Sequence, residues 1–392
     1  MRRISPAAIA ALLALGGCSA ASSAGQVPVG TTATTPSRAS APALTVETVA
    51  TGLTHGWDIG FLPDGKVLIT QRTGDIALLS SGKPGATVRM LKADTSTVQV
   101  RGEGGLMGLV VHPDFTTSRE FTTCQTHMEN GQPVDIRLVT WRLTADELMA
   151  TRVKELLTGL PIAASGRHSG CRPTIAADGA LLVGTGDTAQ GTFSQDKGNL
   201  GGKVLRVDLR TGEPLPDNPI PGSRVYTYGH RNVQGVAVRA NGQVLTAEHG
   251  PDKNDEINLL VPGANYGWDP SQGGTVPGYD ESVPMTDLTR YPDAVAAKWE
   301  SGTTTEAICA TAFLSGAQWG ALDGALVATA LKGAKLLLYT LDASANVVSV
   351  AIPPEFDDRY GRLRAARVAA DGSLYVTTSN GSDDKLLRIT PG

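Results

Sequence analysis

"IGFLPDGKVLITQRTGDIALL", residues 59–79, alternates apolar and polar side chains on both sides of a Pro-Asp-Gly turn, then begins another run after Thr-Gly-Asp. A period of two sends successive side chains to opposite faces, the mark of a strand buried on one side. Asp-Gly and Asn-Gly dipeptides supply the positive φ angles of tight hairpins. The same strand-turn-strand phrase returns in "GLVVHPDFTTSREFTTCQ" (108–125), "PTIAADGALLVGTGD" (173–187) and "VAVRANGQVLTAEHG" (236–250). It returns again in "QWGALDGALVATALKGAKLLLYTL" (318–341) and "ARVAADGSLYVTTSNGSDDKLLRI" (366–389).

The turns fall at Asp64, Asp114, Asp178, Asn241, Asp323 and Asp371, at intervals of 50, 64, 63, 82 and 48 residues. Units of this length with insertions predict an all-β fold, a six-bladed β-propeller of four-stranded antiparallel blades. A parallel α/β fold would need amphipathic helices between strands, and "TADELMATRVKELLTGL" (144–160) is the one helical candidate, its alternative an outer strand plus loop. The long insertions 188–200 and 262–305 are the loops expected to build a site at one end of the channel.

Outside the repeats, the chain reads as an exported protein. Arg2 and Arg3 precede a short apolar run ending Leu15-Gly16-Gly17-Cys18, which resembles a bacterial lipoprotein signal. The expected organisation is a signal peptide over 1–17, a lipidated Cys18 with a Ser/Thr/Ala/Pro tether over 18–43, and a propeller over 44–392. Such a protein would sit on the outer face of the cell membrane, held by its N-terminal lipid. With a net charge of -4 there is no basic surface of the kind nucleic acid requires. Export permits disulfides. Of the remaining cysteines we favour a Cys124–Cys171 bridge with Cys309 left as a thiol, while a pairing with Cys309 and three free thiols stay open.

The loops carry more charge than turns need. "YGHRNVQG" (228–235) sets His230, Arg231 and Asn232 before a strand, and 247–269 gathers Glu248, His249, Asp252, Asp255 and Glu256 with Gly and Pro. Oxygen-rich loops suit a hard cation, although a solvated acidic loop has the same composition. Taken together, "GEGGLMGLVVHPDF" (102–115), "HSGCR" (168–172), "GKVLRVD" (202–208), "GHRNVQG" (229–235) and "EHGPDKNDEINLLVPGANYGW" (248–268) closely resemble the soluble glucose/sorbosone dehydrogenase family.

That resemblance implies a six-bladed propeller that oxidises an aldose or related sugar by hydride transfer to pyrroloquinoline quinone, with Ca²⁺, and passes electrons to an acceptor protein or quinone. It implies His168 as general base, with Arg231 and Asn232 against the quinone oxygens. Lys332, Arg362 and Arg364 would hold the anionic cofactor, and the Gly250 and Pro251 carbonyls would hold Ca²⁺ with Glu248 nearby. Arg172 would brace the loop of the base, and Tyr266 and Trp268 would anchor theirs. Three positions depart from the family pattern. Glu103 stands where a neutral glutamine contacts the cofactor, so its charge must be paired or protonated. Arg167 replaces an acid before the base, where it would depress the histidine's pKa, and a Glu103–Arg167 ion pair would compensate both. "TTTEAICATAF" (303–313) replaces a Pro-Ser stretch. Two other functions share the scaffold: a non-catalytic surface propeller that binds a glycan, envelope component or protein, and a Ca²⁺-dependent lactonase or esterase.

Overall fold

A computed structural model describes residues 43–392 together with the pair Ser37–Arg38. The signal peptide, Cys18 and most of the tether lie outside the described residues. Among those described, no helix is long and apolar enough to cross a membrane.

Six sheets of four antiparallel strands follow one another around a ring, and Ser37–Arg38 adds a short parallel strand to the outer edge of one of them. Blade 1 begins at Gly56–Phe61, blade 2 at Leu106–Val111 and blade 3 at Gly170–Ile175. Blades 4, 5 and 6 begin at Val233–Val238, Ile308–Phe313 and Leu363–Val368. Each of these first strands packs against the first strands of neighbouring blades and so lines the axis. Their side chains are almost wholly buried, because one face meets the next blade and the other the preceding one. Each of the six repeated turns joins the first strand of a blade to its second. Four are short connections; at Asp114 the chain inserts a single helical turn, Phe115–Ser118, and before Asp323 a 3-10 segment, Ala317–Leu322.

Antiparallel pairing has a direct consequence for function. The start of every first strand and the end of every second strand lie on the same rim, while the six turns occupy the opposite rim. Residues before a first strand (His168, Arg231, Arg362) and after a second strand (Asp187, His249, Lys332) are therefore gathered at one mouth.

The ring is closed by the chain's beginning. Leu44–Leu53 adds to the last blade alongside Asp384–Pro391, in register from Leu44↔Pro391 to Leu53↔Asp384. Cys124, on the second strand of blade 2, is bonded to Cys171 on the first strand of blade 3, with Cα atoms 5.9 Å apart. Cys309 is a buried thiol. The segment 144–160 is not a helix: Ala150–Leu160 is the outer strand of blade 2, paired along Gln132–Leu143. Its Thr, Val and Leu residues meet a ready partner edge, and tertiary pairing decides over local propensity.

Candidate active site

His168 begins the site. It stands just before the first strand of blade 3, is 3 % exposed, and has φ 48°. Left-handed backbone is uncommon for a residue with a Cβ and clusters at functional positions. The turn is held from both sides. Gly186, on the adjoining strand end, must lack a side chain because a Cβ there would lie 1.9 Å from the His168 carbonyl oxygen.

His168 Nδ1 lies 2.7 Å from Asp187 Oδ1. The carboxylate accepts, so the proton belongs on Nδ1 and Nε2 carries the open lone pair. Asp187 is fully buried, and its other oxygen accepts from the Trp268 indole at 2.8 Å and the Tyr279 hydroxyl at 2.6 Å. Burial, then the charge of Asp187, pushes the Tyr279 phenol up, so it stays a donor. Asp187 thus orients the base, and the expected acid neighbour in sequence is replaced by one on the next strand. Trp268 is more than an anchor of its own loop. Tyr266 does serve as one, its hydroxyl donating to the Leu259 carbonyl at 2.7 Å while its ring stacks on His230.

Beside the base lies Arg231, which is 4 % exposed. One Nη donates to the carbonyls of His249 and Gly250 at 3.0 and 2.9 Å, the other to Glu281 at 2.5 Å. Glu248 is buried with both oxygens engaged by His230 Nδ1 at 2.8 Å and the Arg231 amide. In this arrangement it supports the Arg231 turn. Among the described residues, no group of three or more His, Cys, Asp or Glu side chains could hold a metal.

Glu103 reaches across the mouth from the loop before blade 2. Its carboxylate accepts from the amides of His168 and Ser169 and from Asn232 Nδ2 and Gln234 Nε2, at 3.3, 3.4, 3.0 and 2.9 Å. Burial pushes its pKa up, but His168, His249, the Asn232 amide and Arg364 outweigh that and hold it below the usual range. The expected Glu103–Arg167 pair does not form. Glu103 fastens the base loop to blade 4, and Arg167 donates to Glu281 at 2.9 Å, because the insertion loop brings that acid within reach.

Arg364 is 6 % exposed, and its guanidinium contacts Gln234 Oε1 and Cys309 Sγ, both at 3.1 Å. Arg362 and Arg72 sit close by at the mouth. Burial and then the charge of Arg364 lower both pKa values. Lys332 is exposed on the same rim. Arg172 does not brace the base loop: it runs down the axis, bonding the Gln234 carbonyl at 2.6 Å and Asp58 at 2.9 Å. The stretch 303–313 supplies Cys309 to this floor. Asp187, Tyr279, Glu281 and Gln234 are the site residues that sequence reading missed. Asp187 closes the quoted "GTGD" strand, where its position at a strand end on the loop-bearing rim was the available signal.

The comparisons agree with this geometry. Over 360 residues the chain is 29 % identical to the aldose sugar dehydrogenase YliI of Escherichia coli K12, covering 90 % of this chain and 94 % of that one. Over 235 residues it is 31 % identical to quinoprotein glucose dehydrogenase B of Acinetobacter calcoaceticus, 53 % and 48 % of the two chains. The solved PQQ-bound aldose sugar dehydrogenase of Streptomyces coelicolor superposes with a TM-score of 0.73 at 28 % identity, covering 90 % and 99 %. The glucose/sorbosone dehydrogenase family model matches residues 53–388. With that span covering all six blades and the rim that carries His168 and Arg231, the chain belongs to the glucose/sorbosone dehydrogenase family.

Proposed function

We propose that this protein oxidises the anomeric carbon of an aldose to a lactone, with pyrroloquinoline quinone as electron acceptor and His168 as general base. The observation that carries the reading is the buried Asp187–His168 pair opening beside a cluster of cations. An unprotonated Nε2 on a carboxylate-held imidazole is suited to take a hydroxyl proton. As that proton arrives, Asp187 stabilises the charged ring and Tyr279 keeps Asp187 in place.

The residues present fit an anionic, acceptor-rich ligand. Arg72, Arg231 and Arg364 each have a buried Nε, and His249 a buried Nε2, without a hydrogen-bond partner among the described residues. Polar groups left in this state cost stability, and the three guanidinium donors among them would recover it from a ligand with several oxygens. When bound, the quinone accepts the electron pair, and Ca²⁺ would polarise it. Arg362, Arg364 and Lys332 would take its carboxylates, Arg231 and Asn232 its ring oxygens, and the Gly250 and Pro251 carbonyls the Ca²⁺. Arg231 is also placed to stabilise negative charge developing on those oxygens.

The test is to titrate the purified protein with pyrroloquinoline quinone and Ca²⁺ and to assay dye reduction with a panel of aldoses. His168→Ala should abolish turnover while leaving cofactor affinity near wild type. Absence of binding at micromolar cofactor would overturn the reading and favour a non-catalytic surface propeller. The signal ending at Cys18 supports attachment to the outer face of the membrane, from which electrons would pass to a protein or quinone acceptor. Cys18→Ser should move the protein from the membrane to the soluble fraction, and unchanged fractionation would refute the anchor.

A further inference from the structure

One carboxylate oxygen sits where the two halves of the site meet. Glu281 Oε1 accepts from Arg231 Nη2 at 2.5 Å and from Arg167 Nη2 at 2.9 Å. The same Arg167 nitrogen lies 3.5 Å from His168 Nε2, the ring nitrogen that Asp187 leaves open. Glu281 comes from the long insertion, two residues after Tyr279, whose hydroxyl is fixed to Asp187 and whose ring lies under the Arg167 guanidinium, 5.8 Å from it. Arg167 is about half exposed, and among the described residues no other acid pairs with it. Its position over the base therefore depends on Glu281 and on the Tyr279 ring.

We propose that Glu281 is a positioning residue for His168: it holds Arg167 across the proton-accepting nitrogen until an anionic ligand takes its place on Arg231. The inference rests on the reading of His168 and Arg231 given above. Its physical content is competition for one cation. Arg231 has one Nη committed to two backbone carbonyls, and Glu281 occupies the other, which shares an edge of the guanidinium with the unpartnered Nε; an oxygen pair that grips this edge needs the donor Glu281 holds. A ligand oxygen that takes this donor displaces Glu281. Arg167, released from its carboxylate, then leaves Nε2 open to a sugar hydroxyl. Charge-assisted bonds are strong enough for such an exchange to matter and are lost together when the shared oxygen moves.

Glu281→Gln keeps the side chain's shape and removes its charge, and Arg167→Ala removes the cover itself. The readout is the rate at which diethylpyrocarbonate acylates His168 in full-length protein without cofactor, followed on the His168 peptide by mass spectrometry. Both variants should react about tenfold faster than wild type, the scale expected from losing a charge-assisted contact. The double variant should react no faster than Arg167→Ala, since Glu281 acts through Arg167, while Glu281→Asp should restore slow labelling. The His112 and His230 peptides serve as internal controls for global opening and should not change. Equal His168 rates in wild type and both variants would overturn the proposal, as would additive effects in the double variant. A second arm measures pyrroloquinoline quinone affinity by absorbance, where Glu281→Gln should bind more tightly than wild type. Weaker or unchanged affinity would overturn the competition. If no chain binds the quinone, the proposed function fails, and the labelling arm still decides whether Glu281 covers the base.

Discussion

At the scale of single residues the site depends on pairs formed across strand ends. His168 was legible because its glycine-rich surroundings and the aligned motif marked it. Asp187, which decides the tautomer, was not, because it lies 19 residues away and only blade pairing brings it back. Glu103 shows the same limit. Sequence raised the question of its charge, and the answer is a set of four donors from blades 3 and 4. Asp187→Asn removes the negative charge that stabilises the protonated ring and replaces one of the two acceptor oxygens, both of which are engaged, with a donor amide, leaving the shape nearly intact. Turnover should fall by roughly a hundredfold or more, in the range a general base contributes, while cofactor affinity stays near wild type. Steady-state kinetics alongside an absorbance titration checks this, and turnover within a factor of two of wild type would refute the role of Asp187.

At the scale of elements, the first and second strands were readable, since alternation and a turn dipeptide occur together in every repeat. The outer strand Ala150–Leu160 was ambiguous because its pattern also suits a helix, and only the neighbouring strand edge selects between them. The long insertion was legible as a loop, and its Tyr279 and Glu281 were not legible as site residues, because irregular backbone carries no period. The disulfide links two blades in the elements just below the base loop and spans 47 residues of chain. Cys124→Ala with Cys171→Ala should lower unfolding free energy by about 2–4 kcal/mol, mainly by freeing the unfolded chain. Denaturant unfolding with and without reductant measures it. A wild-type midpoint unmoved by reductant would count against a stabilising bridge.

At the scale of the whole molecule, blades meet at the axis around Asp58. This fully buried carboxylate is ion-paired with Arg172 of blade 3 at 2.9 Å and accepts from Arg367 of blade 6 at 3.0 and 2.8 Å and from the Leu109 amide of blade 2 at 3.1 Å. Burial pushes its pKa up, yet Arg172 and Arg367 outweigh that and leave it below the ordinary value of 3.8. A depressed folded pKa adds stability that is present above the unfolded value and is lost as pH falls through the folded one. Asp58→Asn should therefore cost about 3–5 kcal/mol at neutral pH by leaving buried cations uncompensated. The gap from wild type should narrow below the ordinary carboxylate pKa, as denaturant unfolding across pH would show. A gap that is constant with pH would refute the assignment. The closing strand carries one more consequence. Leu53 reaches the rim of the site, so Leu44, at the strand's other end and paired with Pro391, lies on the opposite rim. The seam that closes the ring thus runs from one rim to the other, and the loops of the mouth can change in length without loosening it.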